Sequence, residues 1–244
     1  MKHNELSLNG FKAFTLTELL VCIMVIIMLL SLMTPTLKSV REKGRSCVCT
    51  AHLRQWHLSM VCYADANNSY IPRRGQGVKE ISKIDRPGDW FNALPVCLGY
   101  DGYYDRAQNH DLPIIDSKRR QDLFICPSAR LTKSTYFMPL AMNMYLSPWI
   151  RPNPHRFVEI RQPATLVFMA DSPGPYSATL PSNEGYNVED RHNKFANLAM
   201  LDGHVDSFSG TELGCGLGVP DYSPIRWNTK TSGVNQIFFN NAGN

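Results

Sequence analysis

The sequence predicts an α+β protein in which a long N-terminal helix packs on a small antiparallel β-sheet with long loop insertions. Three features predict this class: an uncharged run at residues 19–37, an amphipathic pattern at residues 53–64, and two strand-like segments around Asp202-Gly203. The chain has 244 residues, of which 43% are hydrophobic and 19% charged. This ordinary folded composition excludes a wholly disordered chain and a protein made only of membrane helices.

The uncharged run is typical of a membrane-spanning helix. At about 1.5 Å per residue, residues 19–37 extend roughly 28 Å, which is close to the hydrocarbon thickness of a bilayer. A core helix of a soluble domain would show a polar stripe, and this run shows none. Thr34, Pro35 and Thr36 close the run and basic residues follow them, which makes a poor signal-peptidase site. We therefore expect one retained membrane helix.

The helical pattern continues beyond this run. No helix breaker interrupts the chain between Leu37 and the Asn67-Asn68 pair, so we expect one helix from about residue 15 to about residue 65. Its second half carries apolar residues at three- and four-residue spacings, which predict one face packed on the domain. These residues are Leu53, Trp56, Met60, Val61 and Ala64. Residues 72–134 are rich in Gly, Pro and Asp, and we expect an ordered, loop-rich excursion there.

Strand signals lie in the C-terminal half. Residues 165–171 form an apolar run that predicts a buried strand ending in an acidic turn at Asp171. Residues 195–201 and 204–208 flank Asp202-Gly203, a pair that favours a two-residue hairpin turn. In that register Leu201 faces His204, and Ala199 faces Asp206. We expect a last edge strand at residues 236–239.

A single carboxylate, Glu18, stands at the entrance of the apolar run. A carboxylate inside a membrane is unfavourable by about 2.5–3.5 kcal/mol at the helix centre and by less near an end. Glu18 therefore either ends the helix at the headgroups or has a partner. Residues 12–18, read as Lys-Ala-Phe-Thr-Leu-Thr-Glu, closely resemble the type IV prepilin leader, in which a small residue precedes Phe-Thr-Leu-x-Glu and an apolar helix. Ala13 stands where that family usually has Gly.

The resemblance implies processing and assembly. A prepilin peptidase would cut between Ala13 and Phe14 on the cytoplasmic face and methylate the new amino group of Phe14. Glu18, one helical turn further on, would pair with the N-terminal ammonium of a neighbouring subunit, which would offset its desolvation and set the subunit register. The leader would stay cytoplasmic and the globular domain would face outward.

The distribution of basic residues alone predicts the opposite orientation. Lys38, Arg41, Lys43 and Arg45 follow the apolar run within ten positions, whereas only two lysines precede it. The positive-inside rule would then place the C-terminal domain in the cytoplasm. The leader motif is the more specific signal, and we give it the greater weight.

A second resemblance extends along most of the chain. His192, nine intervening residues and then Asp202-Gly203 resemble the motif that names the prepilin-type processing-associated C-terminal domain. Members of that family resemble secretion pseudopilins, and the name records co-occurrence with the leader rather than a processing activity. The resemblance implies a pilin-like fold with a leader at 1–13, a transmembrane and assembly helix at 14–37, its extramembrane continuation at 38–66 and a globular domain at 67–244. Further matching positions are Cys49-x-x-His52, Tyr70-x-Pro72, Phe124-x-Cys126-Pro127-Ser128 and Pro163-x-Thr165.

Seven cysteines raise the question of disulfides. Cys22 lies in the membrane run and acts as a small apolar residue there. Cys47 and Cys49 are too close along a helix to bridge. Because Cys49 and Cys126 both lie in family-like contexts, the resemblance implies a disulfide between them that joins the helix to a loop. The alternative is that both thiols stay free and buried.

Enzymatic chemistry is not expected. The chain has no Gly-x-Ser-x-Gly motif and no glycine-rich loop that opens a helix. Asp202, His204 and Asp206 form a candidate divalent-metal cluster, and calcium is the ion that pseudopilin resemblance implies. We favour the simpler interpretation that Asp202-Gly203 makes a turn and His192 hydrogen-bonds backbone near it, with no cofactor. The net charge of +4 is too weak and too dispersed for nucleic acid to be expected as a partner.

Together these features predict a structural subunit of a type IV pilus-like or type II secretion pseudopilus filament. It would be a single-pass inner-membrane protein with an extracytoplasmic domain. Its partners would be like or related pilin subunits, the prepilin peptidase and an inner-membrane assembly platform. The alternative is a monomeric membrane-tethered binding module, for carbohydrate for example, whose sign would be an exposed Trp90, Trp149 or Trp227.

Overall fold

A computed structural model describes residues 14–75, 85–109, 122–129, 138–147, 154–160, 163–174, 178–179, 188–213 and 215. The chain divides into two compact units, one that ends at Arg41 and one that starts at Glu42. Residues 1–13, which include Ala13, lie outside the described residues, and so do Trp149, Trp227 and the edge strand predicted at 236–239.

The first unit consists of the N-terminal part of helix α1 (Leu16–Ala66). From residue 14 to residue 41 every described side chain is exposed. This helix is long and apolar enough to cross a membrane, and it lies near the N-terminus. The bounds of α1 confirm the single helix that the sequence predicts from about 15 to about 65.

The C-terminal part of α1 belongs to the second unit, where one face is buried. The buried residues follow the predicted spacing and are Cys49, Leu53, Trp56, Met60 and Ala64. Val61, which the prediction included in this stripe, is 40% exposed. The reason is geometric, because each residue turns a helix by about 100° and Val61 follows directly after the buried Met60.

A five-stranded sheet packs on this helix, with strand order β3-β1-β2-β4-β5. The pairs β1·β2, β2·β4 and β4·β5 are antiparallel, and the two-residue β3 runs parallel to β1. The protein is therefore α+β with a small, mainly antiparallel sheet, as the sequence predicts. The strands are β1 (Met138–Asn143), β2 (Val167–Gly174), β3 (Ala178–Thr179), β4 (Phe195–Met200) and β5 (Val205–Ser209).

Strand β2 differs from the prediction at its C-terminal end. Asp171 was expected in a turn, but β2 continues to Gly174 and Asp171 is fully buried within it. Its neighbours explain this, because Asp171 pairs with Leu140 of β1, and its side chain accepts a hydrogen bond from the backbone amide of Asn197 in β4. The carboxylate thus takes part in cross-strand hydrogen bonding instead of ending the strand.

The loop-rich excursion contains two short helices that the composition does not reveal, α2 (Trp90–Cys97) and α3 (Tyr103–Gln108). They enclose an aromatic core in which the Trp56 ring lies edge-on to Trp90, at 5.2 Å between centroids, and to Phe124, at 5.1 Å. Trp90 is only 1% exposed, so it packs the core and is not a surface platform for a ligand.

The Asp202-Gly203 hairpin has a three-residue loop and not the predicted two-residue turn. The Met200 amide donates to the His204 carbonyl at 2.8 Å, and the Gly203 amide donates to the Met200 carbonyl at 3.0 Å. With Gly203 at φ +97°, this is a turn followed by a glycine bulge. Ala199 therefore pairs with Val205, and the predicted pairing of Ala199 with Asp206 is wrong.

The buried environment of Leu201 explains this shift. Leu201 is fully buried, and its amide donates to the carbonyls of Leu166 at 2.8 Å and Pro163 at 3.1 Å. That amide is unavailable for pairing with His204, so the strands pair one residue further along. Beyond β5, helix α4 (Gly210–Leu213) covers the outer face of the sheet, where Leu213 joins a second apolar cluster.

Candidate functional site

The N-terminus of α1 carries Glu18 in a capping box. The backbone amide and the hydroxyl of Thr15 donate to Oε2 of Glu18 at 2.9 and 2.8 Å, and the Glu18 amide donates back to the Thr15 hydroxyl at 3.3 Å. Thr15 and Glu18 are thus the N-cap and N3 residues of the helix. Phe14, directly before this cap, is 77% exposed. Among the described residues, Glu18 forms no ion pair, so the carboxylate remains free to meet a positive charge from outside the chain.

A buried polar cluster centred on His192 lies in the second unit. Nδ1 of His192 lies 2.8 Å from Oε1 of Glu42 on α1. On the other side of the ring, Nε2 lies 3.4 Å from Sγ of Cys126 and 3.5 Å from Oδ2 of Asp171. The His192 side chain is only 2% exposed. One imidazole therefore connects the helix, the loop at 122–129 and strand β2.

Glu42 is fixed on α1 by hydrogen bonds from three directions. Besides its contact with His192, it accepts a short hydrogen bond from the hydroxyl of Ser128 and a longer one, 3.4 Å, from the guanidinium of Arg45. Burial alone would raise the pKa of Glu42, but the hydrogen bonds from Ser128 and His192 offset this and leave the pKa below its ordinary value. Glu42 is therefore a carboxylate at neutral pH.

Asp171 is the most deeply buried acid of the cluster. Its Oδ2 accepts the Asn197 amide at 2.8 Å, whereas its Oδ1 has no hydrogen-bond partner among the described residues. Burial raises the pKa of Asp171 above its ordinary value, although Arg191 and His192 act in the opposite direction. The Arg191 side chain is also buried and is held by the carboxylate of Glu189 at 2.7 Å.

A disulfide joins Cys49 of α1 to Cys126, the pair that the family resemblance singled out, with 5.4 Å between the Cα atoms. Two further contacts from the same face of α1 fasten the loop at 122–129. Nδ1 of His52 lies 3.0 Å from the carbonyl of Ile125, and the indole N–H of Trp56 donates to the carbonyl of Leu123 at 3.1 Å. This loop is therefore held to α1 along two helical turns.

His57 contacts the hairpin loop. Its Nε2 lies 2.9 Å from the carbonyl of Leu201. A Cβ atom added to Gly203 would lie 2.6 Å from Nδ1 of His57, a distance that real Cβ atoms do not adopt. Gly203 is thus required both for its positive φ and for the close approach of the His57 ring.

His192 and Asp202-Gly203 lie at opposite ends of β4, about 20 Å apart for six residues in a strand. The prediction that His192 hydrogen-bonds backbone near the turn is therefore wrong, because its side chain binds Glu42 instead. The two ends of β4 contact α1 at Glu42 and at His57, positions separated by about 22 Å along a helix. The distance that β4 spans between His192 and Asp202-Gly203 is therefore close to the length of α1 between Glu42 and His57.

The middle of β4 is also tied to α1. Oδ1 of Asn197 accepts hydrogen bonds from Ser46 on α1 at 3.2 Å and from Ser207 on β5 at 2.5 Å. Asn197 is fully buried. The contacts at the two ends and the centre together fix the register of the sheet along the helix.

The predicted metal candidates Asp202, His204 and Asp206 do meet, but at the surface. Nδ1 of His204 lies 2.6 Å from Oδ1 of Asp202, and Nε2 lies 3.5 Å from Oδ2 of Asp206. Both ring nitrogens therefore face a carboxylate, and all three side chains are at least one-third exposed. This is the arrangement of an exposed ion-pair network.

A different set of potential metal ligands is gathered inside the domain. Within the described residues, one ligand atom from each of Cys49, Cys126, Asp171 and His192 lies within 4.8 Å of the others, and all four residues are buried. The sequence does not indicate that Asp171 and His192 lie beside Cys49 and Cys126. Asp171 was visible as an acid closing an apolar run, whereas Glu42 is hidden among the basic residues that follow the membrane run.

No protein-family model matches this chain, and neither the curated proteins nor the solved structures contain a match.

Proposed function

We propose that the chain is a structural subunit of a type IV pilus-like or type II secretion pseudopilus filament. The observation that carries this proposal is the first half of α1, which is uncharged over residues 19–37, exposed throughout its described side chains and preceded by the single carboxylate of Glu18. In a filament, like helices would pack side by side and cover this surface. Prepilin peptidase would first remove residues 1–13 and methylate Phe14.

The anchoring of the globular domain supports the same proposal. Within the second unit the domain is fastened to α1 through His192 at Glu42, the disulfide at Cys49 and the core face of the helix. The apolar half of α1 is then left for lipid before assembly and for neighbouring helices after it. This division of one helix into an assembly half and a domain half is what a pilin-like subunit needs.

The disulfide also bears on orientation. Structural disulfides persist in oxidising spaces and are rare in the cytoplasm. The Cys49–Cys126 bond therefore favours an extracytoplasmic domain on a single-pass inner-membrane helix, against the count of basic residues after the run. Like or related pilin subunits and an inner-membrane assembly platform would be its partners.

Glu18 has two properties that mutations can separate: its side chain caps the helix, and its carboxylate carries a negative charge. Glu18→Gln keeps a side chain that can complete the capping box but removes the charge. Glu18→Ala removes both, and Thr15→Ala weakens the cap but keeps the charge. We would express these variants in cells with a prepilin peptidase and an assembly platform, and measure sheared filaments together with the N-terminal mass.

We expect a methylated Phe14 N-terminus, assembly by Thr15→Ala, and loss of assembly in both Glu18 variants, since only the charge can pair with an ammonium. Normal assembly by Glu18→Gln with failure of the other two variants would reduce Glu18 to a helix cap. An intact N-terminus at Met1 in the membrane protein would leave a simple tether, as a monomeric binding module requires. An exposed Trp90 would have supported that alternative, but Trp90 is buried.

A further inference from the structure

We propose that Cys49, Cys126, His192 and Asp171 form a tetrahedral Zn²⁺ site when the Cys49–Cys126 disulfide is reduced. The disulfide and the metal would be two mutually exclusive ways of joining α1 to the loop at 122–129, and this inference is independent of filament assembly.

The donor set is one that Zn²⁺ takes in proteins. Two thiolates, one imidazole nitrogen and one carboxylate oxygen are all accepted zinc ligands, and closed four-ligand sites of this kind are structural. The four residues are buried, and one ligand atom from each lies within 4.8 Å of the others. Two sulfur ligands and a nitrogen favour Zn²⁺ over calcium or magnesium, which prefer oxygen.

Two separations measured from the His192 ring fit a tetrahedral site. With Zn–S at about 2.3 Å and Zn–N at about 2.0–2.1 Å, sulfur and nitrogen ligands of one ion lie about 3.6 Å apart, and nitrogen and oxygen ligands about 3.4 Å apart. In the structure Nε2 of His192 lies 3.4 Å from Sγ of Cys126 and 3.5 Å from Oδ2 of Asp171. The ring therefore already stands at ligand distance from two other donors.

The surroundings of His192 add a second, independent argument. A zinc-bound histidine usually donates its other ring N–H to a carboxylate, which fixes the tautomer and turns the free nitrogen to the metal. Glu42 provides this carboxylate, since its Oε1 lies 2.8 Å from Nδ1. Nε2 then faces Sγ of Cys126 and Oδ2 of Asp171.

Asp171 supplies the third argument. It is fully buried, yet its Oδ1 has no hydrogen-bond partner among the described residues. A buried carboxylate with one unsatisfied oxygen is unfavourable, and a cation bound at the neighbouring Oδ2 would offset the cost of burying this charge. Oδ2 meanwhile is held by the Asn197 amide at 2.8 Å, which orients the group.

The chemistry requires a reductant. A dithiol supplies two electrons and two protons to the Cys49–Cys126 bond and is itself oxidised to a disulfide. A phosphine supplies the two electrons and becomes a phosphine oxide, with one water molecule providing the oxide oxygen and the two protons of the cysteine thiols. Zn²⁺ then displaces these two protons to solvent as it binds both thiolates. An oxidant reverses the sequence: the two sulfurs rebond, the oxidant takes up two electrons and the ion is released.

The test uses the full chain in detergent, reduced with a phosphine under anaerobic conditions and titrated with Co²⁺ and then Zn²⁺. We expect one Co²⁺ per chain, with the visible absorption of tetrahedral cobalt and a thiolate-to-cobalt band, and displacement of both by Zn²⁺. The disulfide form should show neither signal. Zn²⁺ should also slow reoxidation of the Cys49–Cys126 pair, measured by thiol alkylation and mass spectrometry.

Variants separate the site from adventitious binding. Cys49→Ser and His192→Ala should abolish the cobalt spectrum, whereas Cys47→Ser, on the same helix but exposed, should keep it. Glu42→Ala should weaken Zn²⁺ affinity about 10- to 100-fold, as loss of a second-layer carboxylate does. Circular dichroism of the oxidised His192→Ala chain checks that the fold persists. A reduced wild-type chain without a tetrahedral cobalt spectrum, or a Cys49→Ser chain with an unchanged one, would overturn the proposal.

Discussion

Nδ1 of His192 lies 2.8 Å from Oε1 of Glu42, although 150 positions separate the two residues. This contact joins the point where the second unit begins on α1 to a turn residue three positions before β4. At the other end of β4, His57 contacts the carbonyl of Leu201. Because both ends of the strand are held to one rigid helix, the motif of His192 and Asp202-Gly203 is explained as a structural device that fixes β4 along α1.

Removal of the Glu42 carboxylate tests this device. Glu42→Ala leaves the buried His192 ring and the Ser128 hydroxyl without their acceptor, so we expect the free energy of unfolding to fall by about 1–3 kcal/mol. The control is Glu159→Ala, which removes an exposed ion pair with Arg156 and should cost less than about 0.5 kcal/mol. Denaturant unfolding in detergent measures both, and equal effects would contradict a structural role for Glu42.

Two glycines should respond in opposite directions to alanine. Gly203→Ala places a Cβ atom 2.6 Å from the His57 ring at φ +97°, and we expect a loss of about 1–3 kcal/mol. Gly44→Ala lies in α1 with nothing within 4 Å of its Cβ, so it should stabilise the helix by about 0.5–1 kcal/mol.

Thermal unfolding compares the two variants, and Gly203→Ala combined with His57→Ala separates the two causes. The double variant should recover the stability lost through the clash with the His57 ring, but not the stability lost because alanine disfavours a positive φ. A Gly203→Ala chain as stable as the parent would mean that the loop can move away from α1.

Loss of the Cys49–Cys126 disulfide should destabilise the oxidised chain. The bond closes a sequence separation of 77 residues, and for a loop of that size the expected contribution is about 2–5 kcal/mol. We expect this loss in a Cys49→Ser/Cys126→Ser chain measured with a chelator present, so that bound metal does not contribute. Cys47→Ser, which removes an exposed free thiol, should leave stability within about 0.5 kcal/mol of the parent.

Thiol reactivity should depend on burial. Burial, together with the neighbouring Cys62 thiol, raises the pKa of Cys97 to about 11, and burial with nearby carboxylates raises the pKa of Cys215 to about 12. The thiolate is the nucleophile, so at pH 8 only about one Cys97 in a thousand is reactive. Alkylation of Cys97 and Cys215 should therefore be far slower than that of the exposed Cys47.

The pH dependence follows from the same pKa values. The fraction of Cys97 present as thiolate increases about tenfold for each unit of pH up to about pH 11. The alkylation rate of Cys97 should increase by the same factor. Pulse labelling at several pH values with peptide mass spectrometry gives the rates. Cys97 labelled at neutral pH as fast as Cys47 would show that α2 opens readily and exposes it.

The local features of the fold were predictable from sequence. An uncharged run of this length and a three- and four-residue apolar pattern both predict helix, and α1 confirms one helix from Leu16 to Ala66. Its first half is apolar and long enough to cross a membrane, and its second half has one buried face. Pairing of Cys49 with Cys126 came from the resemblance and not from spacing, because a sequence separation of 77 residues gives no measure of the distance between two cysteines.

Only the tertiary structure decided the hairpin register and the buried cluster. A two-residue turn fits Asp202-Gly203 locally, but burial of Leu201 commits its amide to Pro163 and Leu166 and moves the pairing by one residue. His192, Asp171 and Glu42 come from a turn, a strand and a helix that have no local signal for one another. Patterns along the chain determine which helices and strands form. Polar groups that are far apart in sequence meet only when those elements pack together, because packing excludes water and each buried polar group then needs a hydrogen-bond partner inside the protein.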